Sequence, residues 1–297
     1  MFEKCCGCRS SVAYEITHNP KPISLSYDMD EIIKNLLWYA PNIDSYQAGK
    51  NELIQDKLYD DFSFTYILNY MKMDEKKDVK WIEPRDSFDD DEWNYFVEGI
   101  CCNCQKIIIT RQKNLSKTND LLRCLRNSIA HGHFAIVDDY IICFNKNNSK
   151  TNPDGIRKAV IKIKPKLLLD ALKLLASPKA KEQLLAYAFR RIGYNISREL
   201  DSQKWRFDLL LEKDGKKYVI EIKDYRGMSY LHPQNIEQFL VQSDTLLPDR
   251  ERVLFIDTSR VTKAVRELES NNDNFRIIDI AQVKELLMDP PVDILAG

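Results

Sequence analysis

A chain of 297 residues, 44% hydrophobic and 30% charged, has room for about two globular domains and a sizeable core. Its 44 Lys and Arg against 45 Asp and Glu leave a formal net charge of −1, which excludes a protein that holds nucleic acid by bulk positive charge alone. No apolar run approaches the ~18 residues of a membrane span, and Met1-Phe2-Glu3-Lys4-Cys5-Cys6 lacks the apolar stretch of a signal peptide, so a cytoplasmic protein without membrane contact is expected.

In chain order, Cys5-Cys6-Gly7-Cys8 comes first and is matched far downstream by Cys101-Cys102-Asn103-Cys104. Each cluster holds a Cys-x-x-Cys pair, Cys5 with Cys8 and Cys101 with Cys104. Four thiolates are the tetrahedral set of a structural Zn²⁺ site, and in a reducing compartment metal binding is a better reading than disulfides. The 92 residues between Cys8 and Cys101 require a helical insertion between the knuckles. Two unrelated cysteine pairs in turns are the alternative. Cys124 and Cys143 read as core residues.

Asp28 to Tyr39 has the apolar spacing of an amphipathic helix through Met29, Ile32, Ile33, Leu36 and Leu37. Asn51 to Leu58 and Phe64 to Met73 read as further helical pieces, and the acidic run Asp89 to Glu92 as a solvated loop. Leu115 to Ile129 is predicted to be a helix with a stripe of Leu121, Leu122, Leu125 and Ile129, closed by Arg126-Asn127-Ser128-Ile129-Ala130-His131-Gly132. A histidine at a helix end can act as acid or base near neutral pH, and an arginine five residues back can hold a phosphate. Together they can form a metal-independent ribonuclease centre that uses the 2′-OH as nucleophile; the alternative is a pair that merely stabilises the helix end. His133 lies nearby and could assist, though the expectation is that it points away. A hairpin follows over Phe134 to Phe144 around Asp138-Asp139, then a polar loop from Asn145 to Gly155, a strand from Ala159 to Ile163 and a helix from Pro165 to Leu175.

The segment Arg126 to His131 resembles the R-x(4–6)-H motif of HEPN proteins, here in the RNxxAH form, and the hairpin after it fits the same family. The resemblance covers about Asp28 to Ala176 and implies a HEPN-like domain with Arg126 and His131 as its catalytic pair. It also implies a homodimer in which two such motifs share one cleft.

Beyond Ala176, Ser177-Pro178 opens a helix whose stripe is Leu184, Leu185, Ala188, Phe189 and Ile192, ending at Gly193. Leu209 to Leu211 and Tyr218 to Ile222 read as two strands joined by Lys213-Asp214-Gly215-Lys216. Glu221 and Lys223 share one strand face because side chains alternate, and Asp208 at the start of the neighbouring strand can reach that face. Two adjacent carboxylates repel unless a cation lies between them, and Mg²⁺ or Mn²⁺ favours oxygen ligands and keeps several waters. A lysine beside that cation can orient or deprotonate the attacking water. A solvated Glu-x-Lys pair is the plain alternative, but here it sits among Val219, Ile220 and Ile222, where charge is costly. Pro233 to Leu246 reads as a helix, Arg252 to Asp257 as a buried strand, Arg260 to Glu269 as a helix, Phe275 to Ile280 as a strand and Ala281 to Met288 as a helix.

This run resembles the PD-(D/E)XK nuclease signature, with Asp208, Glu221 and Lys223 in its three key places and Phe207 where the strict form has proline. The order αβββαβαβα is similar to that of Mrr-type restriction enzymes over Ser177 to Met288. The resemblance implies that Asp208, Glu221 and the Ile222 carbonyl hold the metal. It also makes Glu182 a supporting helical acid, the alternative being a first-turn acid favoured by the helix dipole, and Gln238 a glutamine near the active site. Residues 1–150 carry 19 Lys and Arg against 23 Asp and Glu, and residues 151–297 carry 25 against 22. The asymmetry is mild, so Arg190-Arg191, Lys216-Lys217 and Arg226 are the better candidates for phosphate contacts.

The expected architecture is multidomain α+β. A mainly helical HEPN-like domain (1–176), with a β-hairpin and a four-cysteine zinc site, precedes an α/β restriction-endonuclease-like domain (177–297) with a mixed central sheet. The expected function is metal-dependent cleavage of DNA in antiviral defence, with the first half serving dimerisation, regulation or RNA cleavage. Two alternatives are a ribonuclease toxin acting through Arg126 and His131, whose second half only binds nucleic acid, and a non-catalytic nucleic-acid scaffold.

Overall fold

The computed structural model describes residues 11–13, 27–38, 57–101, 103–147, 155–177, 179–197, 207–223 and 229–296. The chain divides into two compact units, Met1–Ala176 and Ser177–Gly297.

In the first unit, β1 (Ser11–Ala13) and α1 (Tyr27–Trp38) are followed by α2 (Lys57–Tyr70), α3 (Glu75–Asp78), β2 (Val79–Ile82), α4 (Asp90–Glu98), β3 (Gly99–Cys101) and β4 (Lys106–Thr110). Then come α5 (Lys117–Ala130), β5 (Phe134–Val137), β6 (Tyr140–Asn147), β7 (Ile156–Ile163) and α6 (Pro165–Leu175). Among the described residues the unit has more strand than the expected hairpin and following strand. The hairpin β5–β6 is present, with Val137 opposite Tyr140, but it belongs to a five-stranded mixed sheet ordered β2-β4-β7-β6-β5. The added strands come from Ile107-Ile108-Ile109, all fully buried, with β2 running parallel at the edge. One face of the sheet packs Ile108, Ile142, Phe144 and Val160 against Trp93 and Phe96 of α4. Helix α5 lies against β6 and contacts α1 and α2. Asp89 to Glu92 is not a loop. Asp89 accepts the amides of Asp91 and Glu92, and the acids form the first turn of α4, where the helix dipole favours them.

Two lysines are buried within strands. Lys106 pairs with Asp78 at 2.7 Å, and Lys162 donates to the Cys101 carbonyl and approaches Cys104 Sγ at 3.6 Å. The reading of Cys124 and Cys143 as core residues agrees with their complete burial, which pushes both thiols up. The expectations for residues 51–56, for Cys5 and Cys8 and for Arg226 lie outside the described residues.

The second unit runs α7 (Ala180–Arg191), β8 (Asn195–Ser197), β9 (Leu209–Lys213), β10 (Lys216–Ile222), α8 (Pro233–Leu246), β11 (Glu251–Ile256), α9 (Lys263–Ser270) and β12 (Phe275–Asp279). Its sheet is ordered β12-β11-β10-β9-β8, parallel from β10 to β12 and antiparallel from β8 to β10. The closing segment Ile280–Leu287 is a 3₁₀ helix rather than an α-helix, and a short 3₁₀ turn at Thr258–Arg260 delays α9 to Lys263. One sheet face buries Leu210, Val219 and Leu254 against Ile236 and Phe239 of α8 and Val265 of α9. The opposite face packs Phe255 edge-on to Phe189 of α7, and Tyr218 edge-on to Tyr194.

Candidate active site and its family

The β9–β10 hairpin sets the geometry of the acidic site. Its turn is Asp214-Gly215, with φ of 51° and 78°. Two successive positive φ values define the turn whose twist suits a two-residue hairpin, and glycine takes the second at no cost. That turn places Lys213 opposite Lys216 and, four steps on, Leu209 opposite Ile220. One step further in the same register, Asp208 faces Glu221. Alternation then puts Asp208, Leu210, Val219, Glu221 and Lys223 on the α8 side of the sheet. Val219 and Leu210 anchor that face in the core, so the carboxylates emerge at its rim.

The side chains are half-buried and engaged. Asp208 Oδ2 accepts the Ile222 amide at 2.6 Å, and Lys223 Nζ donates to Glu221 Oε1 at 2.6 Å. The Lys223 amide donates to the Phe255 carbonyl at 2.9 Å, which fixes the backbone beyond the end of β10. Burial pushes the Asp208 carboxyl up to about 6; the charge of Glu221 adds to this, and Glu182 contributes from α7. The Ile222 amide and the Lys223 ammonium oppose the shift. The site therefore brings Asp208, Glu221, Ile222 and Lys223 together, with Glu182 in electrostatic reach. Gln238 is exposed on α8, whose buried side carries Ile236 and Phe239. The Ile222 amide was missed as a partner of Asp208, although the Asp-Gly turn, once given its register, points to it.

Could these residues hold a hard divalent cation? Among the described residues no group of three or more His, Cys, Asp or Glu is placed to do so by side chains alone. A pair of carboxylates with one main-chain carbonyl suits Mg²⁺, which binds through one or two carboxylates and retains water. The Asp208 carboxyl is raised first by burial and then by the charge of Glu221, with the Lys223 ammonium offsetting only part of this.

The second candidate site closes α5. Ser128 to His133 forms a Schellman motif: the Gly132 amide donates to the Ile129 carbonyl at 3.1 Å, and the His133 amide donates to the Ser128 carbonyl at 2.8 Å. Gly132 has φ +68°, the left-handed value the motif requires. The turn leaves His131 exposed at the C-cap, with Arg126 half-buried on the helix. The rings of His131 and His133 stand 6.2 Å apart, so His133 does not point away as expected.

Residues 31–182, a little over half of the chain, match the family model described as HEPN pEK499 p136. The chain belongs to the HEPN pEK499 p136 family. Residues 175–287 of this HEPN protein also match the restriction endonuclease model Mrr_cat. Both are nuclease-type families, and the matches meet close to the division between the two units. No curated protein and no solved structure matches the chain. Among the described residues, no helix is long and apolar enough to cross a membrane.

Proposed function

We propose that the second unit of this HEPN protein is a metal-dependent endonuclease that hydrolyses phosphodiester bonds in DNA. The observation that carries the reading is the placement of Asp208, Glu221 and Lys223 on one rim of the β9–β10 hairpin, inside the restriction endonuclease match. Asp208, Glu221 and the Ile222 carbonyl would hold Mg²⁺ or Mn²⁺, which when bound supplies positive charge to the scissile phosphate. Lys223, held by Glu221, orients the attacking water and takes up or relays its proton. The Ile222 amide keeps Asp208 turned toward the site, and Glu182 adds negative charge that strengthens attraction for a cation. Gln238, exposed on α8, is available to contact the nucleic acid. Incubation of the purified protein with double-stranded DNA, single-stranded DNA and structured RNA, in Mg²⁺ or in EDTA, tests this. Metal-dependent DNA cleavage abolished by Asp208→Ala supports it, whereas cleavage untouched by that change removes it.

The histidine-bearing end of α5 favours a second reading for the first unit, RNA cleavage without metal at Arg126 and His131. RNA cleavage that persists in EDTA and is lost in His131→Ala would support it. Binding without turnover in either metal would leave a nucleic-acid scaffold. The paired halves suit a cytoplasmic homodimer acting in antiviral defence.

Zinc is proposed for the cysteines. β1 pairs with β3 so that Ser11 lies opposite Cys101, and only two residues separate Cys8 from Ser11 in sequence. Cys101 and Cys104 are buried, and the Asn103 amide donates to Cys101 Sγ at 3.3 Å. One main-chain amide on Cys101, with the Lys162 ammonium against Cys104, favours the charged sulfurs that a four-thiolate site needs.

A further inference from the structure

We propose that His133 is a second catalytic imidazole of the α5 site, forming with His131 an acid–base pair for RNA cleavage. The proposal rests on the ribonuclease reading of the first unit.

The Schellman motif is what creates the pair. Had the helix continued, positions 131 and 133 would lie about 200° apart around it and their side chains would diverge. Gly132 instead takes φ +68°, the chain reverses, and His133 is folded back toward Ser128. Its backbone is fixed on both sides: the amide donates to Ser128, and the carbonyl accepts the Phe144 amide of β6 at 2.9 Å. His131 is fixed by its amide on the Asn127 carbonyl at 3.1 Å. Two imidazoles on rigid backbone thus stand with centroids 6.2 Å apart and planes 34° apart. Hydrogen bonds of ~2.8 Å from the two rings to two oxygens of one phosphodiester fit a separation of this size.

Cleavage through the 2′-hydroxyl needs two proton transfers, and one histidine can perform only one of them at a time. One imidazole takes the 2′-OH proton as the 2′-oxygen bonds to phosphorus. The P–O5′ bond breaks with its electron pair on the 5′-oxygen, which receives a proton from the other imidazole, in its protonated form. The products are a 2′,3′-cyclic phosphate and a 5′-hydroxyl. The two rings exchange protonation states, and solvent restores them. No metal or redox partner is required. Arg126, five residues before His131 on α5, supplies a permanent positive charge for the phosphate.

The test uses the full-length protein on single-stranded RNA in EDTA, with activity followed from pH 5 to 9. The unaltered protein is expected to give a bell-shaped profile and cyclic-phosphate ends. His131→Asn and His133→Asn are each expected to lower kcat by about 10²–10⁴-fold and to remove one limb of the bell. An RNA with a sulfur leaving group at the 5′ position, which departs without protonation, should rescue one variant and not the other, and that variant marks the acid. Loss of activity in His133→Asn with both limbs intact and no rescue of either variant would make His133 structural and overturn the proposal. Full activity in His133→Asn overturns it alone, leaving the ribonuclease reading in place. No cleavage by the unaltered protein overturns both.

Discussion

Asp208 should weaken the fold of the unit that carries it. Its carboxyl is raised from 3.8 to about 6, chiefly by burial and then by the charge of Glu221. The native state therefore holds this proton more tightly than the unfolded chain does. Between pH 3.8 and 6 the native form binds more protons, so stability falls as pH rises through that window. The penalty is absent below the window and complete above it. A shift of about 2 pH units corresponds to about 3 kcal/mol. Asparagine removes the charge and keeps an oxygen to accept the Ile222 amide. Asp208→Asn is thus expected to stabilise the metal-free protein at about pH 7.5 by up to ~3 kcal/mol, on the order of 10 °C in the midpoint of a domain this size. The gain should shrink toward zero near pH 4. Differential scanning calorimetry in EDTA at both pH values, following the transition of the Ser177–Gly297 unit, measures it. Mg²⁺ should raise the unaltered protein's midpoint more than the variant's. A variant that is less stable at the higher pH, or equally stabilised at both pH values, would refute the burial of a charged carboxylate at Asp208.

Three further outcomes are expected. Gly132→Ala should cost about 1 kcal/mol through its φ of +68°, since nothing lies within 4 Å of an added Cβ, and it should depress RNA cleavage by disturbing the His131–His133 spacing; urea denaturation and the EDTA cleavage assay read the two effects separately. Asp120 is fully buried between Arg111 at 2.9 Å and Arg123 at 3.3 Å, so Asp120→Ala should destabilise the first unit by about 3–5 kcal/mol in chemical denaturation, whereas a loss below ~1 kcal/mol would contradict that pairing. Elemental analysis of protein purified without chelators should find about one Zn²⁺ per chain by the four-thiolate arithmetic of a closed site, falling in Cys101→Ser, and protein free of zinc would end the four-cysteine proposal.

The second unit's element order was largely legible because its strands are apolar runs separated by turn residues. Asp214-Gly215 marked the hairpin, and its two-residue length fixes the register that sets Asp208 against Glu221. The first unit's sheet was legible only in part: the hairpin and the strand around Ala159 to Ile163 were read, but β2 and β4 were not. Lys106 opens the run Ile107-Ile108-Ile109 with a charge that reads as surface, whereas the fold buries it on Asp78. β2 gives no clean alternation either, since Lys80 and Trp81 are both half-buried. The Asp89–Glu92 run was ambiguous for a related reason: acids suit a solvated loop and a first helical turn equally, and what decides is the buried Trp93 and Phe96 that follow. His133 was misplaced because the left-handed turn at Gly132 folds the chain back toward Ser128, a reversal that the helix stripe alone does not reveal.

Cleavage of double-stranded DNA in Mg²⁺ by the unaltered protein and by Lys223→Ala, with EDTA as control, bears most directly on the proposed nuclease centre. The expected result is cleavage that needs the metal and falls by at least ~10²-fold in the variant. Cleavage that survives in Lys223→Ala, or that proceeds equally in EDTA, would contradict it.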